Sequence, residues 1–375
     1  MDFMAEALAL ARRALGRTSP NPAVGAVVVR DGVIVGRGFT QPPGGPHAEI
    51  VALREAGDRA HGASLYVTLE PCCHYGRTPP CTAAIIAAGI REVHVAVLDP
   101  NPQVNGQGLA ALTAAGIRVH LGEHADEARR LNEVFFTYIT QRRPFVWAKW
   151  AMTLDGRIAT ATGAARWITG PAARARVHEL RDRLDAVLVG INTVLADDPE
   201  LTVRRPPDPD RPPRHRPFVR IILDSRLRLP LTARVLRPDL APTTWVLTTP
   251  AAPPDRLARI QAAGARVFVV PATEAGVDLH AALRLLADCE IAGLLVEGGG
   301  RVLGSFFDAG LVDKVSAFIA PTVVGGVGAP GPVGGRGCPT LDQAWRLTDL
   351  TIERLDGDLL VTGYPVRPAG APTGG

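Results

Sequence analysis

Lysine and aromatic residues are scarce in this 375-residue chain. Only Lys149 and Lys314 are lysines, and aromatic residues make up 5% of the sequence. The net charge of +4 is spread along both halves and is not gathered in a basic block. Grooves that bind single-stranded nucleic acid combine basic and stacking aromatic side chains, so this composition argues against a nucleic-acid-binding protein.

Long apolar runs and secretory signals are missing as well. The longest uncharged stretch, 315–335, contains three prolines and six glycines, which excludes a membrane-spanning helix. The first residues have helical spacing with acidic side chains, where a signal peptide would have a basic region before an apolar core. We therefore expect a cytoplasmic protein that binds no membrane.

Cysteine is also rare, but its distribution is uneven. Three of the five cysteines, Cys72, Cys73 and Cys81, fall within ten residues of one another. In a chain without a secretory signal, such a cluster indicates a metal or catalytic site before it indicates disulfides.

The length and hydrophobic content predict a globular chain of two or possibly three domains. At about 150 residues per domain the length favours two, and 46% hydrophobic residues suffice for large cores. Helix and strand signals alternate, which predicts α/β domains whose sheets are covered by helices on both faces. The pattern restarts after 141–144, so we predict a first domain over 1–143, a second over 144–366 and a loose tail over 367–375.

The predicted elements follow hydrophobic periodicity and turn signals. In the first domain the helices are 4–15, 47–56, 83–88, 109–115 and 125–140, and the strands are 24–29, 33–36, 64–69, 93–98 and 118–121. In the second domain the helices are 171–184, 280–287 and 302–308, and the strands are 145–152, 186–191, 219–223, 244–247, 267–270 and 293–296, with a hairpin of 350–354 and 359–363. The Pro- and Arg-rich segment 204–217 is expected to be an exposed loop.

A zinc site is indicated in the first domain. His47, Cys72 and Cys81 provide the three protein ligands that a catalytic zinc requires, with one position left for water. Water bound to zinc ionises near neutral pH. Glu49, two residues after the histidine, can carry the proton to a leaving group. A His-x-Glu motif followed by Pro-Cys and a second cysteine is typical of zinc nucleobase deaminases.

The same residues allow a structural zinc site instead. Cys72, Cys73 or His74, and Cys81 could form such a site. Adjacent side chains in extended backbone point in different directions, so Cys72 and Cys73 are not expected to bind one ion.

Several segments resemble the family of bifunctional riboflavin-biosynthesis deaminase/reductases. They are 19–25, 47–49, 68–81 and 99–102 with Gly106 and Gly108. The seven-residue stretch His74–Pro80 between the ligand-bearing segments is specific to that family. The resemblance implies a cytidine-deaminase-like three-layer αβα domain followed by a dihydrofolate-reductase-like α/β domain.

For the first domain the resemblance implies hydrolytic deamination of a diaminopyrimidinone that carries a phosphoribosylamino chain. His47, Cys72 and Cys81 would bind zinc, and Glu49 would protonate the ring nitrogen and the departing ammonia. Asn21 and His74 would contact this substrate. Relatives often have a histidine where this chain has Thr40, so a substrate contact from that position is not expected.

For the second domain the resemblance implies reduction of the ribosyl chain by NADPH. It rests on segments 150–159, 167–169, 190–199 and 223–225, and on the glycines of 297–301 between a strand and a helix. Such a turn lets backbone N–H groups approach a phosphate. The implied cofactor-binding residues are Thr193, Asp197, Ser225, Gly299, Gly300, Arg301, Val302, Leu303, Gly304 and Ser305. The implied substrate-binding residues are Ala151, Trp167, Arg181, Leu201, Arg204 and Glu297.

Two residue types in the second domain suit this chemistry on their own. Lys149, on an apolar strand, could polarise the region that receives the hydride, or could simply extend its ammonium to solvent. Arg181 and Arg204 could bind a phosphate through their forked donors, or could form surface ion pairs. The resemblance also implies a homo-oligomer.

Two other functions remain open at this point. One is a nucleoside- or RNA-editing zinc deaminase with a non-catalytic C-terminal domain. The other is a zinc-stabilised scaffold without enzymatic activity.

Overall fold

The computed structural model describes residues 1–75, 79–206 and 208–367, and these form two compact units. Residues 1–143 and 208–216 make up the first unit, and residues 144–206 and 217–367 make up the second. The 208–216 segment joins the first unit because Arg13 and Arg17 donate to the carbonyl oxygens of Asp210 and Pro212, at 2.9 and 2.6 Å. Apart from Arg367, the predicted tail lies outside the described residues.

The first unit contains a five-stranded sheet and six α-helices among its described residues. Its strands are β1 (Gly25–Arg30), β2 (Val33–Phe39), β3 (Ser64–Val67), β4 (Glu92–Val95) and β5 (Arg118–Leu121). Its helices are α1 (Phe3–Ala14), α2 (Ala48–Ala56), α3 (Cys81–Ala87), α4 (Gln107–Ala114), α5 (Ala125–Leu131) and α6 (Glu133–Gln141).

The sheet of this unit has the order β2-β1-β3-β4-β5 and lies between two helical layers. β1 runs antiparallel to β2 and β3, whereas β3, β4 and β5 are parallel. Helices α1 and α5 contact each other on one face, and α2, α3 and α4 contact one another in turn on the opposite face. The core between these layers is built from alanine, valine, leucine and isoleucine. The expected three-layer αβα arrangement is confirmed.

Two glycines of β2 bring α2 unusually close to the sheet. A Cβ atom at Gly36 would lie 2.1 Å from the Ala52 carbonyl oxygen, and one at Gly38 would lie 2.1 Å from the Ala48 carbonyl oxygen. Both distances are far below van der Waals contact, so only glycine allows the helix backbone to rest directly on the strand.

The single long helix predicted over 125–140 is wrong, because Asn132 divides it into α5 and α6. The Asn132 side chain accepts from the Ala23 N–H at 2.8 Å and donates to the Ala23 carbonyl at 3.0 Å. Asn132 is buried and its backbone leaves helical geometry at φ −104°. A tertiary contact therefore overrides the helical periodicity.

The second unit contains a nine-stranded sheet and five α-helices among its described residues, with a small separate hairpin. The sheet strands are β6 (Phe145–Thr153), β7 (Ala186–Gly190), β8 (Val219–Leu223), β9 (Thr244–Thr248), β10 (Arg266–Val269), β13 (Gly293–Val296), β14 (Lys314–Ala320), β15 (Arg346–Leu355) and β16 (Asp358–Val366), and the hairpin is β11 (Ala272–Thr273) with β12 (Gly276–Val277). The helices are α7 (Pro171–Arg183), α8 (Ile191–Asp197), α9 (Pro254–Ala262), α10 (Leu279–Asp288) and α11 (Gly300–Asp308).

The strand order of the large sheet is β10-β9-β8-β7-β13-β6-β14-β16-β15. The strands from β10 to β14 are parallel, and the β15–β16 hairpin closes the edge in antiparallel orientation. Separate apolar clusters pack on the two faces. Strand β14 and helices α8 and α9 were not predicted, because β14 lies in the stretch considered only as a membrane candidate and α8 is a single short segment after β7. No helix among the described residues is long and apolar enough to cross a membrane.

Candidate active sites of the two units

The predicted metal ligands of the first unit converge. His47 immediately precedes α2, Cys81 is the first residue of α3, and Cys72 lies in the segment after β3. The His47 Nδ1 atom is 3.6 Å from Cys72 Sγ and 3.3 Å from Cys81 Sγ. Tetrahedral zinc, with its usual bond lengths, holds nitrogen and sulfur ligands about 3.6 Å apart. The three residues therefore fit zinc with a fourth position left for water or substrate.

The two thiols of this group share a hydrogen-bonded pocket. The Cys81 backbone N–H donates to Cys72 Sγ at 3.3 Å. Hydrogen bonding from Cys81, and then from His47, lowers the pKa of Cys72, which favours a thiolate at this position. Cys73 is directed elsewhere, with its Sγ 3.9 Å from the Gln103 carbonyl oxygen. This geometry favours the three-ligand set over a structural site that uses Cys73.

Glu49 lies in the first turn of α2, beside the ligands. Its carboxyl group is buried, with 4% of the residue exposed. Burial raises the pKa of this carboxyl group. Because His47 and Glu49 lie at one end of the same helix, the helix fixes the distance between the predicted metal ligand and the predicted proton carrier.

Glu70 organises the loop behind the ligand cysteines, a role that sequence reasoning missed. Its buried carboxylate accepts four backbone N–H groups, those of Asp99, Gly106, Gly108 and Leu109, at 2.9–3.3 Å. A Cβ atom at Gly108 would lie 2.2 Å from the Pro71 carbonyl oxygen. The motif around Asp99, Gly106 and Gly108 was the available signal, since its glycines allow the loop to close on Glu70.

The remaining predicted residues of this site occupy two loops. Asn21 is half-buried in a turn closed by its N–H on the Thr18 carbonyl at 2.8 Å. The His74 Nδ1 atom is buried and has no hydrogen-bond partner among the described residues, so it is available to a ligand. Burial raises the pKa of nearby Asp99 to about 6. Thr40 is buried, and its hydroxyl oxygen accepts a hydrogen bond from the Val24 N–H at 3.2 Å.

Three neighbouring strand ends meet at the predicted cofactor site of the second unit. Parallel strands β13, β7 and β8 lie side by side and are followed by Gly298-Gly299, Thr193 in α8 and Ser225 respectively. A Cβ atom at Gly298 would lie 2.5 Å from the Val189 Cα atom, and one at Gly299 would lie 3.3 Å from Thr193 Oγ1. Ligands of open α/β sheets bind at such carboxyl ends. The glycine turn at the start of α11 therefore fits a dinucleotide phosphate.

The other predicted cofactor residues lie at the end of α8 and along α11. Asp197 ends α8, and its carbonyl oxygen accepts a hydrogen bond from Arg166. Along α11, Gly300 and Arg301 form the first turn and Val302 is half-buried, whereas Leu303 is in the core. A Cβ atom at Gly304 would lie 2.2 Å from Gly334 backbone, and Ser305 donates to the Arg301 carbonyl at 3.0 Å.

A buried ion cluster lies beside the cofactor turn. Arg181 donates to both oxygens of the Glu297 carboxylate, from Nε at 2.5 Å and from Nη2 at 2.9 Å, and Lys149 Nζ is 3.6 Å from the same carboxylate. Burial opposes ionisation of Glu297, but Arg181 and Lys149 outweigh it and lower its pKa to about 2. Burial lowers the pKa of Lys149. Neither cation is the surface residue that the alternative interpretation of the sequence allowed.

Arg204 is the more accessible of the two predicted phosphate-binding arginines. Its side chain is 64% exposed, and its Nε is 3.4 Å from His178 Nε2. Arg181, in contrast, uses a third donor on the Thr202 carbonyl at 2.8 Å. Of the other predicted substrate residues, Trp167 is exposed beneath the Arg174 guanidinium, Ala151 is half-buried on β6 and Leu201 is buried.

Family models match both halves of the chain. The RibD C-terminal domain matches residues 144–361, and the cytidine and deoxycytidylate deaminase zinc-binding region matches residues 1–97. The first match covers more than half of the chain. The first match includes the predicted cofactor-binding turn of the second unit. The second match includes His47, Cys72 and Cys81 of the first unit.

Full-length relatives and solved structures are similar as well. The riboflavin biosynthesis protein RibD of Aquifex aeolicus is 46% identical over 361 residues, which covers 96% of this chain and 97% of the relative. A structure of Acinetobacter baumannii RibD is 38% identical with a TM-score of 0.85, over 97% and 98% of the two chains. A diaminohydroxyphosphoribosylaminopyrimidine deaminase/5-amino-6-(5-phosphoribosylamino)uracil reductase from Thermotoga maritima is 37% identical with a TM-score of 0.82 over the same shares.

Proposed function

The chain belongs to the RibD family of riboflavin biosynthesis, and from this premise we propose how its own residues perform deamination and reduction. The protein is a bifunctional deaminase and reductase with zinc and NADPH as cofactors, as the resemblance implied. A nucleic-acid-editing enzyme with a non-catalytic second half, and an inactive scaffold, do not fit these matches. The first substrate we propose is the diaminohydroxyphosphoribosylaminopyrimidine, and the second is its deaminated uracil product.

In the first unit His47, Cys72 and Cys81 would hold zinc, which would supply a water that is ionised near neutral pH. Glu49 would take the proton of the attacking water and pass it to the ring nitrogen. It would then take the remaining proton of the added hydroxyl group and give it to the amino group, which leaves as ammonia. Its burial excludes competing bulk water from this transfer. Asn21 and the orphaned Nδ1 atom of His74 orient the pyrimidine ring.

In the second unit the turn at Gly299 and Gly300 would bind NADPH, which would supply the hydride for reduction at C1 of the opened ribose. Thr193, Asp197, Ser225 and the first turn of α11 line the cofactor. Arg204 binds the substrate phosphate, since its guanidinium is exposed and forked. The remaining α11 residues and Ala151, Trp167 and Leu201 shape the pocket.

Lys149, Arg181 and Glu297 act as one unit in this proposal. Glu297 holds the Lys149 ammonium near the reacting carbon, and Arg181 holds Glu297. Lys149 polarises the imine nitrogen, to which a proton is added as C1 receives the hydride. The ion pair of Arg181 assigns it to positioning Glu297 rather than to direct phosphate binding.

The convergence of His47, Cys72 and Cys81 next to buried Glu49 is the observation that carries the proposal. The test supplies purified, zinc-containing protein with NADPH and only the undeaminated substrate. We expect ammonia release and NADPH consumption in a one-to-one ratio. Ammonia release without NADPH consumption would contradict the reductase assignment, and the absence of both would contradict the substrate assignment.

A substitution at Glu49 separates catalysis from metal binding. We expect Glu49→Gln to retain zinc and the fold but to lose deamination, while reduction of the deaminated substrate is unchanged. Glu55→Gln, the same change in the last turn of α2, serves as the control and should deaminate normally. Loss of zinc from the Glu49 variant would contradict a purely proton-transferring role.

We also propose a homo-oligomer and a cytoplasmic location. Strand β15 presents Leu350 and Ile352 to solvent, at 55% and 70% exposure, along a sheet edge that could pair with a second copy. Ile352→Lys should lower the molar mass measured by light scattering; an unchanged mass would exclude this edge as the interface.

The proposed cytoplasmic location is supported by the cysteine ligands, because cysteine thiols stay reduced in a reducing compartment. Cell fractionation tests this location.

A further inference from the structure

His178 of the second unit contacts the arginine to which we assign the substrate phosphate. It lies on α7, three residues before Arg181, so the two side chains share one face of the helix. The Arg204 N–H points at His178 Nδ1 at 3.2 Å, and the Arg204 Nε–H points at Nε2 at 3.4 Å. His178 is half-buried, whereas the Arg204 side chain is 64% exposed. No sequence motif had singled out this histidine.

Two side chains of α7 hold the segment that carries Arg204. Arg181 Nη1 donates to the Thr202 carbonyl at 2.8 Å. Two residues later, the Arg204 N–H donates to His178 Nδ1. Because Arg181 also donates to both oxygens of the buried Glu297 carboxylate, this segment is tied to the ion cluster of the proposed reductase site. His178 therefore fixes the main chain of Arg204 beside that cluster.

The two contacts between His178 and Arg204 cannot both be hydrogen bonds. A neutral imidazole has one unprotonated nitrogen, which is its single acceptor. The shorter, main-chain contact uses Nδ1, so the ring proton is on Nε2. The Nε2–H of His178 and the Nε–H of Arg204 are then two donors directed at each other, 3.4 Å apart. An anionic oxygen that accepts from both donors removes their mutual repulsion.

The charges around Arg204 also favour an anion. Glu200 Oε2 lies 3.7 Å from Arg204 Nη1, but the same carboxylate pairs with Arg234 and Arg237. One carboxylate thus faces three guanidinium groups, which leaves a net positive charge at this place. A phosphate dianion suits such a site better than a neutral or cationic group does.

We propose that His178 binds the phosphate of the reductase substrate together with Arg204. The Nδ1 atom of His178 holds the Arg204 main chain, and its Nε2–H donates to a phosphate oxygen next to the guanidinium. The inference rests on the proposed reductase function and adds to it a second, uncharged phosphate-binding residue. The pair favours the phosphorylated substrate over its phosphate-free ribosyl form.

The test measures NADPH oxidation by the zinc-containing full chain with the deaminated substrate. His178→Ala should raise KM for this substrate about tenfold or more and change kcat much less, because a hydrogen bond to a charged group is lost on binding. The phosphate-free ribosyl form, measured as a substrate or as a competitive inhibitor, should bind to this variant as it does to the unmodified protein. A purely structural role of His178 would weaken both compounds alike.

Three further variants sharpen this test. His178→Gln should restore most of the affinity, because its amide offers one acceptor and one donor group. Adding Arg204→Ala to His178→Ala should raise KM by less than the product of the two single effects, since both residues hold one phosphate. His280→Ala, which removes an exposed histidine at the start of α10, is the matched control and should have the KM of the unmodified protein.

Three results would overturn the inference. They are an unchanged KM in His178→Ala, an equal loss of affinity for the phosphorylated and phosphate-free compounds, and independent effects of His178→Ala and Arg204→Ala. If the unmodified protein oxidises no NADPH with the deaminated substrate, the proposed reductase function itself fails, and this inference fails with it.

Discussion

Neutralising Glu297 provides a quantitative test of the buried ion cluster. Glu297→Gln leaves the adjacent charges of Arg181 and Lys149 in a buried site without their counter-ion. Breaking a buried ion pair by removing one partner costs about 3–5 kcal/mol. A fall in pKa from 4.5 to about 2 gives a similar figure, about 3 kcal/mol. The two arguments therefore agree on a large loss of stability.

The second unit can be monitored separately from the first. All five tryptophans of the chain lie between positions 147 and 345, so intrinsic tryptophan fluorescence reports on the second unit. Urea unfolding followed by this signal should give a free energy of unfolding about 3 kcal/mol lower for Glu297→Gln. Glu353→Gln breaks an ion pair between Arg176 and Glu353, whose side chains are 32% and 43% exposed respectively. This variant should lower the free energy of unfolding by at most about 1 kcal/mol. Equal effects of the two variants would refute the reasoning.

The pH dependence of the difference in unfolding free energy between the unmodified protein and Glu297→Gln gives a second measurement. Because the folded pKa of Glu297 is below its unfolded value, its stabilisation is fully present above about pH 4.5. It is lost as the pH falls from 4.5 toward 2. The stability difference between unmodified protein and Glu297→Gln should therefore shrink over this window, and a difference that stays constant would contradict an ionised Glu297.

Three further predictions concern metal binding and packing. Cys72→Ser should release zinc while Cys73→Ser retains it, as measured by metal analysis, because Cys72, unlike Cys73, lies next to His47. Glu70→Gln should lower the thermal midpoint of the first unit and reduce deamination, since an amide donor would face backbone N–H groups; leaving buried donors unpaired costs about 1–3 kcal/mol. Gly304→Ala should destabilise the second unit by about 1–3 kcal/mol in fluorescence-monitored unfolding, because its Cβ would meet Gly334 backbone at 2.2 Å.

Local patterns predicted those parts of the fold that short-range interactions determine. The β1–β2 hairpin follows from two valine-rich runs on either side of an Asp31-Gly32 turn, and β8 and β13 were predicted with their observed bounds. The convergence of His47, Cys72 and Cys81 was predictable because the three residues stand in a motif that is typical of zinc sites. The break at Asn132 was not, since its partner is Ala23, 109 residues away.

The ion cluster of the second unit also could not be predicted from local sequence patterns. Arg181 and Glu297 are 116 residues apart, and each was assigned separately to the substrate site. Only the fold reveals that they neutralise each other below the surface. Sequence periodicity indicates which face of a helix is buried, but not which charged groups are buried together.

The close seating of α2 on β2 has a mechanical consequence for the first active site. His47 and Glu49 move as one rigid body with this helix, whereas Cys72 and Cys81 belong to other segments. The helix lies this close to the sheet because Gly36 and Gly38 have no Cβ atoms. A single methyl group at Gly38 would push the helix away from the sheet. It would move the predicted metal ligand His47 and the predicted proton carrier Glu49 away from Cys72 and Cys81. The alignment of the catalytic group thus depends on two residues that never touch the substrate.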